Sequence, residues 1–286
     1  MRILFLGNNW LGWKVITWLK EQGEEIAGLV IHPAAERKFG EEILEAAGLP
    51  EERIFLGSQL RNREVREAIQ SLHPDLGISI LFHYILKPEF LGLFPRGVIN
   101  LHPAFLPYNR GQYPNVWSIV EGTPAGTTLH YIDPHIDTGD IIARKEVATE
   151  PVDTGESLYL KLERASLSLF QETWPLLKAG KAERIPQDPG NGTFHYTRDA
   201  EKIDRIDPER TYRAHDLINI LRARTFPPYR GAYFETGGKR VYLKLQLEYG
   251  EEETGRAENL PAPRPRINEL LPTPPGGGPP PEGDRS

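Results

Sequence analysis

Two short polar segments of the chain contain residue types that can transfer an acyl group. In the first, Asn100 and His102 stand two positions apart, so their side chains share one face of an extended backbone. The amide can donate to a developing oxyanion, and the imidazole, which titrates near neutrality, can donate or exchange a proton. A histidine at a strand end is more often structural, so the pair alone leaves an acyl-transfer site and a structural role open.

The second segment lies further along the chain and concentrates ionisable side chains. These are His130, Asp133, His135, Asp137 and Asp140. A polar turn between strands, with Thr138 and Gly139 as turn residues, is one interpretation. Mixed His and Asp ligands also suit zinc or manganese. The spacings match neither the helical histidine pairs nor the calcium loops of known metal sites, so we expect no metal ion.

Both segments follow strands of a predicted α/β sheet. Continuous apolar runs predict strands buried on both faces, over Ile3–Leu6, Ile26–Ile31, Leu76–Leu81 and Val98–Leu101. Helical periodicity between the runs predicts helices over Trp13–Glu21, Gly40–Ala47 and Arg63–Leu72. This alternation indicates a Rossmann-like, mostly parallel sheet with helices on both faces. Ligands bind such sheets beyond the carboxyl ends of the strands, where the residues after Leu81 and Ile99 would lie.

The second half of the chain predicts a separate small domain. Two strands, Gly126–Ile132 and Asp140–Val147, precede a long helix near Glu156–Leu177, and the Gly- and Pro-containing stretch Ala179–Asn191 follows. A helix and a Gly-Gly hairpin then predict a small α+β domain. We expect domains at residues 1–185 and 192–250. Residues 259–286, with 9 prolines and 4 glycines, should form a disordered tail.

The composition excludes several classes of protein. The chain has no cysteine, which removes disulfides, thiolate nucleophiles and cysteine-bound zinc. A net charge of −6 argues mildly against a nucleic-acid-binding protein. No secretory signal is recognisable, and no run reaches the ~18–20 apolar residues of a membrane helix. We therefore expect a soluble cytoplasmic protein.

Together, the two polar segments resemble the signature of the 10-formyltetrahydrofolate-dependent formyltransferases. The matching residues are Asn100-Leu101-His102-Pro103, Leu106-Pro107 and Ile136-Asp137-Thr138-Gly139-Asp140. The resemblance covers roughly residues 1–185 and implies that Asn100, His102 and Asp137 are catalytic. The chain departs from the family pattern at Ala104, where serine is usual, so no hydroxyl contact is expected there.

The resemblance also implies a folate co-substrate, 10-formyltetrahydrofolate. Its pterin would be held by the backbone of Tyr84, Ile85 and Leu86, with the loop that contains Asp133 and Ile136 closing over it. An acceptor amine would then attack the formyl carbon.

Three further residues are candidates for binding the acceptor. Asn9 and Trp10 follow the first strand in a loop that lacks the P-loop Lys-Ser/Thr and the glycine spacing of a dinucleotide fingerprint. Trp10 could stack on a ring of the acceptor, and Arg110 could hold a phosphate. A strand–helix turn with a packing tryptophan, and a solvated loop, are the corresponding structural interpretations.

Three functions remain open at this level. A formyltransferase acting on a nucleotide-linked amino sugar is favoured, because Leu106–Gly111 and His130–Asp133 resemble that subgroup. A methionyl-tRNA formyltransferase would need RNA backbone contacts, yet residues 187–250 carry 11 Lys and Arg against 9 Asp and Glu. A non-catalytic folate or nucleotide binder is the third. The free edge of the predicted hairpin could pair two copies of the chain as a homodimer.

Overall fold

The computed structural model describes residues 1–250, of which Met1–Glu248 form one compact unit. The predicted tail at residues 259–286 lies outside the described residues. Within residues 1–250, no helix is long and apolar enough to cross a membrane.

A seven-stranded sheet forms the centre of this unit. Its order is β3-β2-β1-β4-β5-β7-β8, in which the first five are parallel and β7 and β8 are antiparallel to their neighbours. These strands are β1 (Arg2–Gly7), β2 (Glu25–Ile31), β3 (Ile54–Leu56), β4 (Leu76–Ile80), β5 (Val98–His102), β7 (Gly126–Tyr131) and β8 (Ile141–Glu146). The predicted Rossmann-like fold class is confirmed.

Helices cover both faces of the sheet, which explains the uninterrupted apolar runs. Alternate residues of β1 point to opposite faces: Ile3 and Phe5 join one apolar cluster, while Leu4 and Leu6 join another. The helices are α1 (Asn9–Glu21), α2 (Gly40–Ala47), α3 (Arg63–Ser71), α4 (Pro88–Leu91), α5 (Pro114–Glu121), α6 (Gly155–Lys178), α7 (Thr197–Asp204) and α8 (Ala214–Ala223). Residues of α1, α2 and α6 pack on the first face and residues of α3 and α4 on the second.

After α6 the chain returns to the first half of the molecule. Ile185 forms an antiparallel bridge with Ile141 at the start of β8. Further on, β9 (Phe194–His195) pairs in parallel with β6 (Arg110–Gly111). The His195 ring stacks on Trp117 of α5, with ring centroids 4.0 Å apart. The stretch predicted as a boundary is therefore hydrogen-bonded, through Ile185 and Ile141, to the first half of the molecule. The predicted domain limits at 185 and 192 stay predictions.

The C-terminal part ends in the predicted hairpin. It consists of β10 (Tyr233–Thr236) and β11 (Lys239–Tyr242), joined by Gly237 and Gly238 with φ of 54° and 72°. Positive φ at both positions is the geometry of a two-residue hairpin turn, in which glycine is unstrained. Beyond β11 the Leu243 N–H donates to the Ala232 carbonyl and the Leu245 N–H to the Thr225 hydroxyl.

Candidate active site

A cavity of about 1030 Å³ opens beyond the carboxyl ends of the parallel strands. It lies where the strand order reverses, because β1 leads to β2 on one side and β4 continues to β5 on the other. Its walls include Asn8 and Asn9 after β1, residues 81–86 after β4, and Asn100 and His102 of β5. Residues 132–137, between β7 and β8, complete the same wall. The structure thus brings both polar segments of the sequence to one place.

Asn100 and His130 occupy directly opposed positions on the antiparallel strands β5 and β7. Residues opposed in this way share a face of the sheet, and Nδ2 of Asn100 lies 3.2 Å from Nε2 of His130. His130 belongs to the ionisable segment of the sequence but was not placed in the predicted catalytic set. Its cross-strand register with Asn100 could not be read without knowing that β5 and β7 pair.

The protonation of His130 follows from its surroundings. Burial lowers the pKa of His130, with the Asp137 carboxylate opposing that shift, so the ring is neutral near pH 7. Its Nδ1 lies 2.8 Å from the Tyr131 carbonyl oxygen, which can only accept, so Nδ1 carries the proton. Nε2 is then an acceptor, and Asn100 donates to it. This arrangement fixes which way the Asn100 amide faces.

Asp137 reaches back from the loop to both histidines. Its Oδ2 lies 3.6 Å from His102 Nε2 and its Oδ1 lies 3.6 Å from His130 Nε2. Since His130 has no proton on Nε2, His102 is the residue that can form an ion pair with this carboxylate. Catalytic hydrogen bonds are often this long in ligand-free proteins and tighten only in the complex with reactants. A third contact is shorter: the Gly111 N–H donates to Asp137 Oδ2 over 3.0 Å.

The loop that carries Asp137 is held in a strained conformation. Asp137 has φ of 54°, in the left-handed region, so surrounding contacts must maintain it. Asp133 stabilises the loop internally, because its Oδ1 accepts hydrogen bonds from the His135 N–H and the Thr138 hydroxyl. Both Asp133 and Ile136, predicted to contact the folate, line the cavity, and 43% of Ile136 is exposed.

The predicted pterin-binding segment forms another part of the same wall. Tyr84, Ile85 and Leu86 all line the cavity, with Ile85 60% exposed and Leu86 packed into the second apolar cluster. Beneath them His32 is buried, and its Nε2 accepts from the His83 N–H. Burial, and to a lesser degree the neighbouring His83, lower the pKa of His32 to about 4. A neutral His32 therefore supports this segment.

The three acceptor candidates have different positions. Asn9 lines the cavity with φ of 64°, and its Nδ2 donates to the Tyr159 hydroxyl over 2.9 Å. Trp10 instead packs against the first apolar cluster, and Arg110 lies in β6 outside the cavity wall. Geometry thus supports Asn9 and agrees with the structural interpretation of Trp10.

Side chains of the C-terminal half complete the cavity. Tyr159 of α6 connects Asn9 to Glu163, and burial raises the pKa of both Tyr159 and Glu163. Phe226 and Tyr229, which follow α8, add aromatic surface. In the sequence, Tyr159 and Glu163 show only helical spacing, which does not separate a cavity wall from a core. Among residues 1–250, no group of three or more His, Asp or Glu side chains is placed to hold a metal ion.

Comparisons with known proteins bear on both halves of the chain. Residues 1–173 match the model of the formyl transferase family. Residues 199–249 match the model described as N-formyltransferase dimerization C-terminal domain. Neither match includes the returning segment around residues 185–195.

Individual relatives act on more than one kind of acceptor. A methionyl-tRNA formyltransferase of Geotalea daltonii is 32% identical over 267 residues, covering 89% of this chain and 82% of that protein. A Mycobacterium tuberculosis protein described as a sugar N-formyltransferase is 26% identical, with a TM-score of 0.72 over 87% of this chain and 99% of its own. A formyltransferase of Anoxybacillus kamchatkensis was solved with UDP-4,6-dideoxy-4-formamido-L-AltNAc and tetrahydrofolate. It is 32% identical, with a TM-score of 0.51 over 71% of this chain and 89% of its own.

Proposed function

Because the chain belongs to the formyl transferase family, we propose that it moves a formyl group from 10-formyltetrahydrofolate to the amine of a nucleotide-linked amino sugar. The observation that carries this proposal is the shared cavity wall. It places Asn100, His102 and Asp137 beside Tyr84–Leu86, the segment that resembles the family's pterin site. The solved relative with bound tetrahydrofolate supports the choice of donor.

Asn100 and His102 stabilise the charge that forms during transfer. The acceptor amine attacks the formyl carbon, a carbon–nitrogen bond forms, and the formyl oxygen becomes an oxyanion. One N–H of the Asn100 amide is committed to His130, so the other is available to that oxyanion. His102, whose Nε2 lies 3.6 Å from Asp137 Oδ2, is the second donor to the oxyanion. A donor of this kind contributes about 2.7–4 kcal/mol to stabilising a transition state.

Asp137 handles the proton that the amine loses. The ammonium formed by the attack releases a proton through water to this carboxylate. Collapse of the intermediate breaks the bond between the formyl carbon and N10, and N10 takes up the proton. The products are the formamide and tetrahydrofolate, so atoms and charge balance without another reactant.

Three observations favour a nucleotide sugar as the acceptor. The C-terminal match is to a domain of N-formyltransferases, and two solved relatives are described as acting on or holding sugars. The cavity continues from Asn100 to Asn9, Tyr159 and Tyr229, which combine hydrogen-bonding and aromatic groups. An amino sugar and its attached base require both kinds of contact.

A methionyl-tRNA acceptor is the alternative, favoured by the Geotalea relative that aligns with 89% of this chain. It would require a basic surface for the RNA backbone. The chain has 34 Lys and Arg against 40 Asp and Glu, and the excess of acidic residues counts against it.

Separate assays with each acceptor test the proposal. The full chain is mixed with 10-formyltetrahydrofolate and offered a dTDP-linked or UDP-linked 4-amino-4,6-dideoxy sugar, or methionyl initiator tRNA. We expect release of tetrahydrofolate with at least one nucleotide sugar and none with the tRNA. Formylation of the tRNA alone would overturn the sugar assignment, and no turnover with any amine would overturn the proposed transfer.

We also propose that two copies of the chain associate through the hairpin. The match to a dimerization domain supports this. Tyr233 of β10 is bridged to Arg205, so among residues 1–250 β11 is the outer strand, and its Val241 is 40% exposed. An open strand edge with an exposed apolar side chain is suited to pairing with its copy.

A further inference from the structure

The segment 185–195, which returns from α6, contacts the catalytic loops at three places. Its first residue pairs with Ile141, directly after the Asp137 loop, through hydrogen bonds of 2.8 and 2.9 Å. Its last residues bind the loop that follows β5 and contains β6. There the Arg110 N–H donates to the Thr193 carbonyl and the Gln112 N–H to the His195 carbonyl. Between these anchors, Gln187 reaches the Asp137 loop with its side chain. We call residues 185–195 the strap.

The side-chain amide of Gln187 forms hydrogen bonds with the backbone of the Asp137 loop. Its Nε2 donates to the Asp137 carbonyl over 3.1 Å and to the Gly139 carbonyl over 2.6 Å. A side-chain amide nitrogen has two N–H donors, so the two carbonyls take both. The reverse orientation of the amide would place its oxygen against two carbonyl oxygens and is therefore excluded. Both donors of Gln187 hold two backbone positions, i and i+2, at a fixed separation.

The two Gln187 hydrogen bonds lie where the backbone of the Asp137 loop is strained. Asp137 has a left-handed φ of 54°, and a side chain at Gly139 would collide with the Tyr131 carbonyl, so the backbone passes through a narrow path. The Asp137 carboxylate is held from the other side by the Gly111 N–H, and Gly111 itself lies in the strand that pairs with the strap. The strap thus controls both the backbone and the side chain of this residue.

We infer that Gln187 is a positioning residue for formyl transfer, which sets the distance between the Asp137 carboxylate and His102. The inference rests on the proposed function, since Asp137 matters here as the proton acceptor. Gln187 is not among the residues that line the cavity. Its effect should therefore appear in the chemical step and not in binding.

Gln187→Met tests this inference, because methionine has a similar length and no donor. Asn191→Ala is the control, since the Asn191 side chain lies in the same strap but donates to Asp188. Hydrogen exchange of peptides covering residues 133–140 gives a readout that needs no turnover. We expect faster exchange there in Gln187→Met, with wild-type exchange in Asn191→Ala. Unchanged exchange in Gln187→Met would show that the two Gln187 hydrogen bonds do not hold the Asp137 loop. This conclusion would not depend on which acceptor the protein uses.

Steady-state kinetics then test the positioning role. A misplacement of about 1 Å in a catalytic group can cost on the order of 10²-fold in rate. We expect kcat of Gln187→Met to fall by about 10- to 100-fold, while KM for folate and acceptor changes less than about 3-fold. Faster exchange with a wild-type kcat would overturn the positioning role. A wild-type chain inactive with every acceptor would instead overturn the proposed function and leave the exchange result standing.

Discussion

The Asn100 amide donates to Nε2 of His130 across the β5–β7 pair, over 3.2 Å. Because the pKa of His130 is lowered by burial and its Nδ1 proton is directed to Tyr131, the acceptor role of Nε2 is fixed. A side chain outside the predicted catalytic set therefore orients a residue inside it.

His130→Leu removes this acceptor and replaces the buried ring with a side chain of similar volume. The Asn100 amide is then free to rotate, and we expect kcat to fall by roughly 10-fold or more, since oxyanion donors act only when aligned. His215→Ala, at an exposed histidine of α8 outside the cavity wall, should retain wild-type kcat. Wild-type turnover of His130→Leu would show that the contact does not orient Asn100.

His102→Ala and Asp137→Ala remove the proposed oxyanion donor and the proposed proton acceptor. We expect each to lower kcat by on the order of 10²–10⁴-fold, the usual range for acid–base groups. Circular dichroism and thermal unfolding should remain close to those of the wild type, because both side chains lie at the cavity wall. Rapid formyl transfer by either folded variant would refute the assignment.

Gly111→Ala should damage the loop that contacts Asp137. Gly111 has φ of 90°, and an added Cβ would lie 2.4 Å from the His195 carbonyl oxygen. We expect a loss of about 1–3 kcal/mol of stability from backbone strain, together with a lower kcat. Gly122→Ala is the matched control, since its φ is 67° but nothing lies within 4 Å of the new Cβ. It should lose stability through backbone strain and keep its kcat; an equal kcat loss in both variants would contradict the specific role of Gly111.

The pH dependence of stability should include a contribution from His32. Its pKa is about 4 in the folded protein, below the ordinary value of 6.5, so as the pH falls below 6.5 the unfolded chain takes up a proton that the folded chain does not. The free energy of unfolding therefore decreases from about pH 6.5 to about pH 4, by up to roughly 1.4 kcal/mol per pH unit. In His32→Gln this part of the slope should disappear, as measured by urea unfolding at pH 7 and pH 5. An identical slope in both proteins would show that His32 protonates equally in both states.

Val241→Glu places a charge on the outer strand of the hairpin. Glutamates brought together in a symmetric pair repel each other, so we expect weaker dimerisation, measured by light scattering across a concentration series. Lys244→Glu, which changes charge just beyond the strand, serves as the control. A wild-type chain that stays monomeric at high concentration would contradict the proposed pairing.

The fold class followed directly from the sequence because its strands are buried on both faces and read as apolar runs. The shortest elements could not be predicted in this way. β3 has three residues and α4 has four, which are too few to show a strand or helix periodicity in hydrophobicity. Asn100, His102 and Asp137 could be identified by resemblance and proved to share one wall. His130 and Gln187 could not be identified from the sequence. The contact of His130 depends on the register between β5 and β7, and that of Gln187 depends on the path of the chain after α6, and no local sequence pattern encodes either.

The stacking of His195 on Trp117 bears on how this protein can be recombined with its relatives. A chimera joined at the end of α6 would exchange the strap for a foreign one and leave the Trp117 indole without its covering ring. A junction placed after His195 keeps the stacked pair and the β6–β9 pairing within one parent. The cavity-lining aromatic side chains that follow α8, such as Tyr229, could then be exchanged as a block while Asn100, His102 and Asp137 stay in their parent framework.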